Sequence, residues 1–67
     1  MVIEELKTEK IDWRWKNNVA RIEEAAKECN LVVTNIWAEP HRGMWVKTHY
    51  TVLGSRQAIA NLQRKIS

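Results

Sequence analysis

The sequence predicts an α+β domain: a two-layer sandwich with a mainly antiparallel sheet of three to four strands and two helices on one face (ββαββα or βαββα). Three observations carry this. First, the β-branched and aromatic runs Leu31 to Ala38 and Met44 to Leu53 flank Pro40-His41-Arg42-Gly43, and a short Pro-to-Gly break between such runs signals a hairpin. Second, two stretches, one from Val19 and one after Ser55, carry apolar residues at helical spacing. Third, the chain has 67 residues, enough for a single domain over 1–67. A chain of that size buries only about 60% of the surface its unfolded form exposes, so hairpin and helices must share one thin core.

In chain order, Val2-Ile3-Glu4-Glu5-Leu6 reads as a short strand or the start of a helix, too brief for periodicity to decide. Ile11-Asp12-Trp13-Arg14-Trp15-Lys16 alternates apolar and charged, which is strand periodicity, and Trp favours strands. A helix capped by Asp12 is the rival, because Ile11, Trp15, Val19 and Ile22 also recur at helical spacing. The strand is preferred: a helix there would enclose Asn17-Asn18, and Asn competes for backbone hydrogen bonds. Asn18 suits an N-cap instead.

From Val19 the stripe Val19, Ile22, Ala25/Ala26 and Cys29 marks a helix to about Cys29, with Glu23 and Lys27 paired in the favourable order and Asn30 as a stop. After the hairpin, Gly54-Ser55 ends the strand and caps a second helix. Its stripe is Ala58/Ile59, Leu62 and Ile66, while Arg64 and Lys65 complement the dipole at its end. The two halves look alike, since Ile22, Ala25 and Cys29 are spaced as Ile59, Leu62 and Ile66. The run from Tyr50 through Ile66 also resembles the closing strand and helix of ferredoxin-like and KH-type domains, over about a quarter of the chain. The Gly-x-x-Gly loop of a KH domain is absent.

Composition excludes several classes. With 45% hydrophobic and 28% charged residues the chain is expected to fold. The single cysteine, Cys29, has no partner for an internal disulfide and fits a reducing compartment. No apolar run approaches the roughly 18 residues of a membrane span, and the charged N-terminus is unlike a signal peptide. The expectation is a cytoplasmic protein with no membrane partner. Net charge is +3, unevenly spread. Residues 1–30 carry six Lys/Arg against seven Asp/Glu, residues 31–67 five against one, so an anionic partner should meet the second half.

Nothing points to catalysis. His41 and His49 lie on or beside the hairpin, but no Ser, Cys or carboxylate is spaced to make a nucleophile–base pair with them. Two His without a third ligand make a weak metal site, Cys29 on an apolar stripe behaves as a small hydrophobe, and no Gly-rich phosphate loop exists. No enzyme, metal or cofactor is expected.

Binding is the better reading. Helices on one side leave the other sheet face open. Trp45, Lys47, His49 and Thr51 share one side of the second hairpin strand, and the more apolar Met44, Val46, Thr48, Tyr50 and Val52 the other. The first set should be the open face, extended by Arg42 at the turn and by Trp37 if register brings it to Trp45. Aromatics beside cations on an open sheet suit single-stranded nucleic acid, with Trp37 and Trp45 stacking on bases and His41, Arg42, Lys47 and His49 near phosphate. Against this stands a plain structural role, in which Trp13, Trp15, Trp37 and Trp45 fill the core. The alternative function is protein association: a homodimer through the face, a strand added at the hairpin edge, or a small regulator masking a partner protein.

Overall fold

A single ten-residue strand, β1 (Glu4–Trp13), opens the fold in the computed structural model, which describes residues 2–67. A 3-10 turn (Arg14–Lys16) follows, then α1 (Asn18–Glu28), β2 (Val32–Arg42), β3 (Trp45–Gly54) and α2 (Arg56–Ile66). The sheet is antiparallel, in the order β1-β3-β2. The architecture is therefore βαββα, the second of the two expected orders. Hairpin strand β3 is central, and α1 carries the chain across it from one edge to the other.

The helical layer covers one face. Ile22, Ala25 and Ala26 of α1 and Ile59, Leu62 and Ile66 of α2 meet Tyr50 and Val52 of β3, with Leu31 closing one end. Both stripes are those expected from helical spacing, except that Val19, Cys29 and Ala58 stay half-buried. Parity on the sheet agrees in part: Met44 is exposed in the turn, Val46 is half-buried, and Thr51 of the open set is buried. Thr48, Tyr50 and Val52 are buried beneath the helices, while Trp45, Lys47 and His49 lie on the open side. The buried core contains no Trp, so the bulk of this small domain comes from aliphatic residues and Tyr50. Burial disfavours ionisation and pushes the Tyr50 hydroxyl up from its ordinary value.

Three local features differ from expectation, each for a physical reason. The segments Val2–Leu6 and Ile11–Trp15 are not two strands, because pairing with β3 carries one strand through Thr8-Glu9-Lys10 without a break. The resemblance between halves is thus confined to the helices. Trp15 leaves the sheet in the 3-10 turn, and Arg14 N donates to Met44 O at 2.8 Å. At the start of α1, Asn17 takes the left-handed conformation (φ 50°) as N-cap, so Asn18 is the first helical residue and its buried side chain accepts from Arg21 at 3.3 Å. The hairpin turns at Gly43–Met44 rather than over Pro40–Gly43, with Arg42 opposite Trp45. Gly43 at φ +56° supplies the positive dihedral that a two-residue hairpin needs at its first central position. Pro40 then lies inside β2, which it tolerates because β2 is an edge strand.

The cap of α2 is as expected: Ala58 N donates to Ser55 Oγ at 3.1 Å. Ser55→Ala should cost about 1 kcal/mol, read as a lower urea midpoint at unchanged slope. No helix among the described residues is long and apolar enough to cross a membrane.

Candidate binding face of the sheet

The open face is a grid set by the β1–β3–β2 register. Along β3, Trp45 lies between Trp13 and Arg42, Lys47 between Ile11 and Glu39, His49 between Glu9 and Trp37, and Thr51 between Lys7 and Asn35. Trp37 therefore shares the open face, but pairs with His49 and not with Trp45. Two aromatic stacks result. Trp13 lies on Trp45 with ring centroids 4.0 Å apart and planes at 25°, and Trp37 lies on His49 at 4.1 Å and 15°. Each stack couples two neighbouring strands across the open face.

In the middle of this face basic side chains and carboxylates stand side by side. His49 Nδ1 stands 3.6 Å from Glu9 and its Nε2 3.5 Å from Glu39, while Lys47 Nζ reaches Glu9 at 4.0 Å. The Nε2 contact has ion-pair distance without hydrogen-bond alignment, which leaves that buried nitrogen with no hydrogen-bond partner. His49 is thus flanked by carboxylates from both neighbouring strands, and Lys47 by Glu9 of β1. Beside them a groove of about 580 Å³ crosses the sheet, floored by the short Thr51 and Asn35 and walled by Trp37 and His49 on one side.

The hairpin end is different. Here the end of β1, the 3-10 turn and the β2–β3 turn converge, joined by the Arg14–Met44 hydrogen bond. The stacked Trp13 and Trp45 lie beside exposed Trp15 (72% accessible) and Met44. Arg42 stands opposite Trp45 and His41 precedes it in the shifted part of β2, while Arg14 borders Asn18, Val19, Ala38 and Val46 toward the helical layer. Among the described residues no carboxylate lies within ion-pair distance of Arg14, His41 or Arg42. Lys16 lies over the Trp15 ring at 5.6 Å and also reaches Asp12 at 3.5 Å.

Asp12 is the organising carboxylate of this end. It accepts from the Trp13 amide at 2.8 Å and meets Lys16 and, at 3.6 Å, Arg21 of α1. The Trp13 amide, then the Lys16 charge, hold its carboxyl below the ordinary value near 3.8. A carboxyl that ionises more readily folded than unfolded adds stability above its unfolded pKa, and loses it as pH falls through the lowered folded value. Urea midpoints of the wild type should therefore drop more than those of Asp12→Asn as pH is lowered from about 5, with the gap closing in acid.

Of the six residues expected from sequence, His41, Arg42 and Trp45 come together at the hairpin end, whereas Trp37, Lys47 and His49 occupy the middle of the face. Trp13 joins the first group, stacked on Trp45, and Arg14 and Trp15 follow it in the 3-10 turn. The alternation Ile11-Asp12-Trp13 placed Trp13 on a sheet face, but its position against Trp45 depends on a pairing 32 residues apart in sequence. Comparison of the chain with protein-family models, curated proteins and solved structures finds no match. Among the described residues no group of three or more His, Cys, Asp or Glu side chains is arranged to hold a metal ion. Cys29, at the C-terminus of α1, is half-buried against the core.

Proposed function

We propose that this chain is a small non-enzymatic binding domain that contacts single-stranded nucleic acid through the hairpin end of its open sheet face. The observation that supports this reading is the stack of Trp13 on Trp45 beside Arg42, a cation that no carboxylate engages among the described residues, with exposed Trp15 two residues beyond Trp13. Bases stack on exposed indoles and arginines follow the phosphates, a combination indifferent to sequence and sensitive to salt. Trp37 and the groove beside it lie further along the same face, with room for a base. Lys47 and His49 take a lesser part than their position on the strand suggests, because the carboxylates of Glu9 and Glu39 beside them repel phosphate.

Titrating the protein with short single-stranded DNA and RNA, followed by Trp emission, tests this directly. Quenching should weaken steeply as salt rises. Trp15→Ala should lose about 1–3 kcal/mol of binding. Arg42→Glu should weaken all sequences alike and flatten the salt slope by about one, whereas Arg64→Glu on α2, behind the sheet, should leave affinity unchanged. Equal losses from Arg64→Glu and Arg42→Glu would remove the hairpin end as the site.

A second reading has its own support. The middle of the face, where Glu9 and Glu39 stand beside Lys47 and His49 and where Ile11, Trp37 and Val32 are exposed, suits a foreign protein surface better than a polyanion, because its carboxylates oppose phosphate. An oligonucleotide titration without quenching, together with loss of a protein contact on Trp37→Ala, would favour that reading.

A further inference from the structure

The two edges of the sheet are built differently. The β2 edge, the free edge of the hairpin, contains Pro40, which has no N–H to donate, and its register shifts at Val33/Asn35 and Pro40/Arg42. Proline and bulges are the devices that keep an edge from recruiting another strand. The β1 edge has neither. It pairs with β3 without a shift from Glu4 opposite Gly54 to Trp13 opposite Trp45, and it contains no Pro or Gly. Alternate N–H and C=O groups along ten residues therefore point outward in regular array. The helices pack on β2, on β3 and on each other. They are tied to β1 at its ends, through Arg56 to Glu4 and Arg21 to Asp12, and Leu6, Thr8 and Lys10 between them stay half-covered.

We propose that this edge pairs antiparallel with the β1 strand of a second copy, about a two-fold axis at Thr8, to form a continuous six-stranded sheet. The charge pattern selects the partner and the register. With the axis at Thr8, Lys7 of each copy faces Glu9 of the other on the open side. On the helix side Thr8 faces Thr8, and Lys10 lays its stem over Leu6. Opposite charges and Thr pairs directly across an antiparallel ladder are stabilising. An axis at Lys7 would set Lys7 against itself and Glu5 against Glu9, and an axis at Glu9 or Lys10 would set that residue against itself. An axis at Leu6 pairs Glu5 with Lys7 but shortens the overlap to Glu4–Thr8. In the Thr8 register the one like-charge pair is Glu4 with Asp12. Both carboxylates are already met by Arg56 and by Lys16 and Arg21 of their own copy.

Charged side chains on an edge ordinarily discourage pairing. Here their order around Thr8 rejects other strands and accepts a copy of the same one, which is specificity by repulsion of the alternatives. The pairing leaves both hairpin ends free, at opposite ends of the enlarged sheet, so it is independent of what those ends bind.

Light scattering or sedimentation equilibrium on the full chain, from about 1 µM to about 1 mM, should show the mass rising with concentration from 7.9 kDa toward twice that value. Lys7→Glu and Glu9→Lys should each weaken the dimer about tenfold. An equimolar mixture of the two variants should associate more tightly than either alone, because each then offers the charge the other lacks. A mass constant over the whole range overturns the proposal. So does a dimer that neither variant weakens, or a mixture no tighter than its components. Should a variant fail to fold by circular dichroism, amide exchange in the wild type decides: protection that rises with concentration within Glu4–Asp12 supports the edge, and protection that rises only elsewhere overturns it.

Discussion

Leu62→Ala should abolish most of the stability of this domain. Leu62 is fully buried in α2, at the centre of a cluster that also holds Ile22, Ala26 and Val52. Truncating a buried Leu to Ala costs about 2–5 kcal/mol, the loss of transfer free energy plus the cavity left behind. A chain of this length is expected to have only about 3–10 kcal/mol of stability in all. The core is a single layer between two helices and three strands, with no second cluster to take over. Urea denaturation should therefore show a midpoint lowered by half or more, with a sizeable unfolded population before denaturant is added. Ile11→Ala on the open face is the contrasting case: Ile11 is 42% accessible, and its truncation should cost less than about 1 kcal/mol. Equal losses from the two variants would mean that the open face is covered in solution.

The contrast between those two positions also explains what could be read from sequence. Both helices announced their buried stripes, because a helix against a sheet must repeat its apolar residues at a fixed spacing. Strand β3 was legible for the same reason, its Thr48, Tyr50 and Val52 alternating with Trp45, Lys47 and His49. Strand β1 was only half legible. At an edge, with helices tied mainly to its ends, Thr8-Glu9-Lys10 needs no apolar member, and the polar run looked like a break between two strands. Pro40 misled in the opposite direction. It reads as a turn residue, yet an edge strand accommodates it with its missing N–H facing outward.

The candidate site was legible in its parts and not in its electrostatics. Parity alone put Trp45, Lys47 and His49 together on the open face. That Glu9 and Glu39 flank His49 follows only from the register of three strands, and one residue of slip would send either carboxylate to the other face. The same holds for Trp13 on Trp45, which moves the densest aromatic and cationic group to the hairpin end.

Gly54→Ala should be strongly destabilising although it adds a single methyl. Gly54 ends β3 and is buried, and a Cβ placed on it would overlap Leu31 Cδ2 while touching Ala58. Leu31 is itself 7% accessible and packs in the core cluster, so its side chain can yield only by disturbing its neighbours. The glycine does not serve a turn here, since its φ is not positive. What it provides is close approach between the end of the central strand and the residue that leads from α1 into β2. Overpacking of this kind costs about 1–3 kcal/mol, and each kcal/mol lowers the melting temperature of a domain this small by about 4–8 °C. The coupling to Leu31 gives the sharper check. Leu31→Val, which shortens the side chain in question, should destabilise the wild type but recover part of the loss in Gly54→Ala. The double variant should then be more stable than the sum of the two singles requires. Strict additivity would show that the added methyl acts on the backbone and not on Leu31.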